Sequence, residues 1–312
     1  MNLAMNISFD IISQLTSFNT ITVLVGTALL GFACGIIGAF NTLRDRALVG
    51  DCVAHASLPG ICLAFLLLRD RSFLPLFCGA ICSGLLSVWC ISLIRSRSKI
   101  KSDSAIALTL SCFFGAGIAL SRLIQNLPGG SAAGLDSFIL GKAASISSSD
   151  LTTISCVALM TLGATLLFFK EFVLICFDRD FAAVQGYPVN LLDILLMILM
   201  CLCVAAGLPA VGAVLVVALL IFPAVTARIW SERIKTVVIL SAVFGSLCCG
   251  CGVVLSALIP TEVISGGLPT GPIIVVCAAL LLIISLAGKS ALSRARALSY
   301  KHGETSPGGD LC

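Results

Sequence analysis

Charged residues are scarce in this chain. Asp, Glu, Lys and Arg make up only 11% of its 312 residues, 59% are hydrophobic, and there are just two His, two Trp and two Tyr. So little charge excludes a water-soluble globular domain, and no basic cluster is dense enough to bind nucleic acid. Residues 1–19 hold no Lys or Arg, so we expect no cleavable signal peptide there. The composition predicts an integral membrane protein.

The chain consists instead of long apolar segments separated by short connections. None of them shows the alternating pattern of a strand in a membrane β-barrel. Because a span in lipid must satisfy its own backbone hydrogen bonds, we predict that these segments are α-helices. We therefore predict an all-α polytopic membrane bundle of about nine helices, or eight if residues 207–212 interrupt a single broken helix. The predicted spans are residues 20–40, 47–68, 73–94, 104–124, 151–169, 189–207, 211–227, 236–258 and 272–288.

Basic residues in the connections predict the orientation. With the N-terminus outside, only Arg69, Arg71, Arg122 and Lys142 of the 19 Lys and Arg residues fall in outside segments. Cytoplasmic connections carry the excess of Lys and Arg in membrane proteins. The bias therefore predicts an outside N-terminus, an odd number of spans and a cytoplasmic C-terminus.

The chain divides into two regions by composition. Residues 1–288 are predicted to form the transmembrane domain, and residues 289–312 a basic, disordered cytoplasmic tail. Two predicted outside segments, Pro128 to Gly134 and Pro260 to Pro272, are rich in turn-forming residues and are expected to shape an external mouth.

The chain also has 16 cysteines, nearly all within apolar spans. We interpret most of them as small core hydrophobes. Cys248, Cys249 and Cys251 could instead form a cluster for a soft metal, but three thiols so close together lack the spacing of a zinc site.

Asp51 and His55 stand in an otherwise apolar span. Their four-residue spacing places both side chains on one face of a helix, and Pro59 falls on the same stripe. Ionisable groups at membrane depth are costly, so they face a partner, a cavity or a permeation path. A carboxylate and an imidazole can bind a divalent cation; the alternative is an internal ion pair that ties two helices together. Asp193, the other acid near a span, is expected in a hydrated position at a cytoplasmic helix end.

The segment from Lys170 to Asn190 is the longest predicted cytoplasmic connection. Asp178 to Gln185 is predicted to form a short amphipathic helix that ends at Gly186 and presents Phe181 and Val184 on one side. Such a segment either folds back on the bundle or docks into a groove of a partner.

Four stretches together resemble one known family. They are ALVGDCVAHASLPGICLAFLL at 47–67, GLDSFILGKAASISSSDL at 134–151, FDRDFAAVQGYPVNLLD at 177–193 and VGAVLVVALLIFPAVTAR at 211–228. In order and spacing they are similar to the integral membrane permease subunit of ABC-type manganese, zinc or iron importers, the ABC-3 type metal permeases. The resemblance covers almost the whole chain and does not identify the metal.

The resemblance implies roles for both singled-out segments. The acid and histidine of the second span contribute to the metal path in this family, which maps to Asp51 and His55, with Pro59 as a helix kink beside it. The cytoplasmic segment resembles the element that docks on the ATPase, here Asp180 to Gly186. Within it Phe181, Ala183 and Val184 are the expected contact residues.

The resemblance also implies the partners. They are a cytoplasmic ATP-binding subunit that hydrolyses ATP, an extracytoplasmic metal-binding protein and a second permease subunit, all at the bacterial cytoplasmic membrane. The chain itself is then not an enzyme, it holds no permanent cofactor, and the divalent metal ion is its transported substrate.

Ligand number supports a dimer. One helix offers only one Asp and one His, whereas two copies across a two-fold axis would supply two carboxylates and two imidazoles. The alternative function is a gradient-driven secondary transporter that uses Asp51 and His55 as a proton or metal relay. A membrane-embedded metalloprotease is disfavoured because the sequence has no H-E-x-x-H motif.

Overall fold

A computed structural model describes residues 18–44, 46–68, 73–126, 146–258 and 270–304. These residues form helices: α1 (Phe18–Leu43), α2 (Ala47–Leu68), α3 (Phe73–Arg97), α4 (Ser102–Gln125), α5 (Ser148–Leu167), α6 (Phe169–Phe177), α7 (Arg179–Val184), α8 (Val189–Val211), α9 (Ala213–Trp230), α10 (Ile234–Leu258) and α11 (Thr270–Glu304). Within these ranges, nine helices are long and apolar enough to cross a membrane. The predicted nine-span all-α bundle is confirmed; its orientation stays a prediction.

Gly212 separates α8 from α9. Its φ of 87° lies in the left-handed region, which glycine adopts without steric cost because it has no Cβ, whereas other residues are strained there. The chain can therefore leave one helix and begin the next within a single residue. Because α8 and α9 both qualify as spans, the structure favours nine spans over a single broken helix at this point.

Small residues bring the helix that carries Asp51 close to its neighbour α3. A Cβ added to Gly60 would lie 2.1 Å from the carbonyl oxygen of Gly79, and one added to Gly79 would lie 2.5 Å from that of Gly60. One turn further along the pair, the hydroxyl of Ser83 donates to the carbonyl of Ala56 at 2.5 Å. Close backbone approach of this kind drives helix association in membranes, and it fixes the position of α2 in the bundle.

The last helix differs from the prediction. It continues to Glu304, through residues for which the sequence predicts a disordered tail. The segment from Lys289 to Glu304 contains many residues with high helix propensity, such as Ala, Leu, Arg and Lys, so the helix continues past its apolar part. The turn-rich segments at 128–134 and 260–269 lie outside the described residues.

The cysteine cluster is not supported. Cys248 and Cys249 are buried, whereas Cys251 is exposed. Throughout the described ranges, no group of three or more His, Cys, Asp or Glu side chains is close enough together to hold a metal ion. The buried thiols therefore fit the interpretation as small apolar residues of the core.

Candidate functional site

Asp51 and His55 face each other on α2. The Nε2 atom of His55 lies 3.4 Å from Oδ1 of Asp51, and the two side chains are 33% and 36% exposed, respectively. Two ligand atoms at about 2.1 Å from a tetrahedral ion are themselves about 3.4 Å apart. The pair thus has the spacing of two adjacent metal ligands, and it is open enough for a third group to approach.

Phe114 of α4 packs against the imidazole. The ring centroids of His55 and Phe114 are 5.0 Å apart at an interplanar angle of 73°. Beside them is a cavity of about 20 Å³, whose wall also includes Leu208 and Ala213 at the break between α8 and α9. A water molecule needs roughly 10–15 Å³ of such space, so the described part of the subunit has room here for about one water and not for a full hydration shell.

Pro59 is buried inside α2, one turn after His55. Proline has no backbone N–H, so the carbonyl oxygen of His55 cannot receive the hydrogen bond that a helix normally supplies from four residues onward. Pro59 thus leaves the carbonyl oxygen of His55 without its usual helical donor, on the C-terminal side of the Asp51 and His55 pair. A kink at Pro59 stays a prediction.

The short helix predicted from Asp178 to Gln185 is confirmed as α7, with these two residues as its caps. The Asp178 carboxylate accepts hydrogen bonds from the backbone N–H groups of Asp180 at 3.0 Å and Phe181 at 2.9 Å, which caps the first turn. The helix ends before Gly186, whose φ of 85° is left-handed as expected for a glycine after a helix C-terminus. Sequence reasoning began the functional segment at Asp180 and so missed the capping role of Asp178.

α7 is seated on the bundle by one side and exposed on the other. Ala182 is fully buried, whereas Ala183 is exposed. Phe181 is 50% exposed and Val184 is 87% exposed. The segment therefore folds back on the bundle through Ala182 and still presents an apolar surface to its surroundings. Of the two alternatives from the sequence, folding back is observed, and the exposed surface leaves docking to a partner open as a prediction.

Asp193 is the centre of an arginine cluster that sequence reasoning missed. Its carboxylate forms an ion pair with Arg44, and its Oδ2 lies 3.0 Å from Arg179 Nη2 and 3.8 Å from Arg46 Nη1. The Asp193 side chain is only 13% exposed, so its charge is compensated mainly by these arginines, and its predicted hydration stays a prediction. No local spacing signals this cluster, because Arg44 and Arg46 are far in sequence from Arg179 and Asp193.

The cluster connects the two candidate segments. Arg179 is the first residue of α7, and Arg46 directly precedes α2, which carries Asp51. Burial, together with the neighbouring charge of Arg44, lowers the pKa of Arg46 to about 10, while Asp193 opposes that shift. Positive charge is therefore crowded at this end of the bundle, and Asp193 joins the arginines of the two segments.

Comparison with known proteins identifies the family. Residues 17–289 match the ABC 3 transport family. The chain belongs to that family. The match extends from the first described helix into α11, so it includes the Asp51 and His55 pair, the Asp193 cluster and α7.

Individual relatives agree with this assignment. The chain is 44% identical to the manganese transport system membrane protein MntC of Bacillus subtilis over 88% of its own length, but it spans only 61% of that relative, less than two thirds. It is 39% identical to the zinc transport system membrane protein TroC of Treponema pallidum, over 85% of this chain and 87% of TroC. Among solved structures, PsaBC from Streptococcus pneumoniae in complex with Fab is 31% identical, with a TM-score of 0.75 over 89% of this chain and 95% of that one.

Proposed function

We propose that this chain is the membrane permease subunit of an ATP-driven importer of divalent transition metal ions in the bacterial cytoplasmic membrane. Manganese, zinc and iron are the candidate substrates, since relatives named for each of them match this chain. The observation that carries the proposal is the Asp51 and His55 pair, which has the spacing of two metal ligands in a chain of the ABC 3 transport family.

The pair alone is too small a ligand set. Zinc sites use three or four protein ligands, and the described residues bring no third acid, histidine or cysteine to the pair. A second permease copy related by a two-fold axis would supply another carboxylate and another imidazole. The roughly one-third exposure of both side chains leaves them accessible to such a partner.

A transport site must also release its ion. A site that bound as tightly as a structural zinc site would trap the substrate, so conduction favours incomplete coordination by protein groups. The cavity beside Phe114, which has room for about one water molecule, can supply that water as a weak oxygen ligand that exchanges readily. Asp51 and His55 would be the side-chain ligands that each subunit contributes.

Coupling to a separate ATP-binding subunit is assigned to α7 and Gly186. Phe181 and Val184 provide the exposed apolar surface, with Ala183 and Asp180 beside them. Movement of α7 would act on Asp193 through Arg179 and reach α2 through Arg46. ATP binding and hydrolysis on the partner could thereby alter the access of the Asp51 and His55 pair to the two sides of the membrane. An extracytoplasmic metal-binding protein would deliver the ion on the opposite side.

Uptake of radiolabelled manganese or zinc tests this proposal. Cells expressing the chain with its ATPase should accumulate metal, and cells whose ATPase lacks its phosphate-binding lysine should not. An ionophore that collapses the proton gradient while ATP is maintained should leave uptake intact. Uptake that survives loss of ATPase activity and stops with the ionophore would instead establish the gradient-driven relay through Asp51 and His55. Family membership argues against that alternative.

A further inference from the structure

A large cavity opens next to the arginine cluster, and neither Asp51 nor His55 lines it. Its volume is about 670 Å³, and α3 and α8 form its apolar walls, which places it in the size range of ligand sites. Its apolar lining consists chiefly of Leu85, Val88, Ile91, Ile194, Met197 and Ile198.

One end of the cavity is strongly basic. Arg46, Arg95 and Arg179 line it together with a single acid, Asp193. That acid is already paired with both Arg46 and Arg179 and also with Arg44, which lies outside the lining. Arg95 is exposed and has no ion pair with a described acid. Three positive charges against one shared negative charge make this end attractive to an anion.

The apolar part extends from the basic end into the membrane-spanning region. Along α3, Leu85 and Arg95 both line the cavity, and ten residues of helix cover about 15 Å. On α8, Asp193 is followed by Met197 one turn deeper. The cavity is therefore amphipathic along its length, with cationic groups at one end and an apolar wall at the other.

Lipid can reach this cavity from the side. Only 22% of the apolar window of α3 is buried inside the subunit, and Trp89, which lines the cavity, is 60% exposed. Tryptophan is enriched where a protein meets the membrane interface, and basic pockets between membrane helices bind acidic lipid headgroups.

We propose that this cavity binds an anionic glycerophospholipid, with its phosphate at Arg46, Arg95 and Arg179 and the start of its acyl chains against Leu85, Val88 and Met197. Arg95 is the arginine available to the headgroup, since the other two are engaged with Asp193. The bound lipid would balance the excess positive charge beside α7.

Fluorescence of Trp89 tests the proposal. The full chain is reconstituted with its ATPase into phosphatidylcholine vesicles that contain a fixed fraction of either brominated phosphatidylglycerol or brominated phosphatidylcholine. The emission difference between this complex and its Trp89→Phe variant isolates Trp89. Brominated phosphatidylglycerol should quench that emission several times more effectively than brominated phosphatidylcholine.

Arg95→Gln should reduce this preference by about fivefold, the contribution of one basic residue to binding of an anionic lipid. Arg97→Gln is the matched control, because Arg97 is an exposed arginine of the same helix that does not line the cavity. It should leave the preference unchanged, as should excess inorganic phosphate.

Four results would overturn the lipid assignment. Equal quenching by the two lipids would show no anion preference, and an equal loss in both arginine variants would show attraction to the surface charge as a whole. Loss of the preference in excess phosphate would make this a site for free phosphate. Absence of quenching by either lipid would mean that the ATPase or a second copy of the chain covers the cavity.

Discussion

Arg179 Nη2 lies 3.0 Å from Asp193 Oδ2, and this contact joins the first residue of α7 to a carboxylate that also pairs with Arg44 and Arg46. The two sides of the contact differ in burial. The Arg179 side chain is 47% exposed, while that of Asp193 is 13% exposed. Removing one partner should therefore have a different consequence from removing the other.

Asp193→Asn should destabilise the protein, because it leaves Arg44 and Arg46 without their counter-charge. Breaking a buried pair costs about 3 to 5 kcal/mol, which is an upper bound for this partly exposed group. Arg179→Gln should cost less than about 1 kcal/mol, since exposed pairs contribute little, yet it should reduce metal-stimulated ATP hydrolysis. Thermal unfolding and ATPase assays of the purified complex measure the two effects. Equal stability of Asp193→Asn and the parent would contradict the structural role of the cluster.

Orientation gives a prediction that is independent of the site. A reporter that is active only in the cytoplasm should be active when fused after Lys99, between α3 and α4. A reporter that is active only outside the cytoplasm should be active when fused after Asn126, at the other end of α4. A fusion within Thr261 to Gly271 should behave like the one after Asn126. The reverse pattern at these positions would invert the map that the basic residues predict.

Local sequence patterns predicted much of this molecule. Hydropathy and length located the spans, and helical periodicity placed Asp51 and His55 on one face, because these properties depend on neighbouring residues only. The Asp193 cluster could not be predicted, since Arg44, Arg179 and Asp193 meet through the packing of separate helices. The burial of Ala182 likewise depends on how α7 rests on the bundle.

Substitutions at Gly186 test whether the proposed coupling segment needs its left-handed backbone. A Cβ added there would meet nothing within 4 Å, as at Gly163 in α5, but only Gly186 has a left-handed φ. Gly186→Val should therefore strain the backbone by about 1 to 2 kcal/mol and uncouple transport, whereas Gly163→Val should leave coupling intact. Gly186→Asn should have a milder effect, because asparagine tolerates this conformation. The measurement is metal uptake relative to ATP hydrolysis. Equal coupling in the Gly186→Val and Gly163→Val variants would show that transport does not depend on the left-handed conformation of residue 186.

Phe181 should anchor the ATPase. Large apolar side chains at the centre of an interface often cost 2 kcal/mol or more when truncated, so Phe181→Ala should reduce ATPase co-purification from membranes. Phe18→Ala is the control, since Phe18 is 80% exposed at the other end of the bundle. Co-purification at the parental level in the Phe181 variant would exclude this surface as the docking element.

Asp51 and His55 decide whether the chain carries metal along the proposed path. Asp51→Asn and His55→Ala should each abolish metal uptake, because each removes one of the two ligands that a subunit supplies. Both side chains are about one-third exposed, so their mutual interaction should contribute no more than about 1 kcal/mol to the free energy of unfolding. Membrane insertion, assembly with the ATPase and thermal stability should stay close to those of the parent.

The control for loss of negative charge is Glu232→Gln, because Glu232 is exposed in the connection between α9 and α10, remote in sequence from α2. It should transport at the parental rate. If the Asp51 and His55 variants also transport normally, the pair has no part in the metal path. If they fail to accumulate as folded protein, the pair has a structural role within the bundle. Only lost uptake by a stable, assembled complex identifies Asp51 and His55 as the ligands that carry the ion through the membrane.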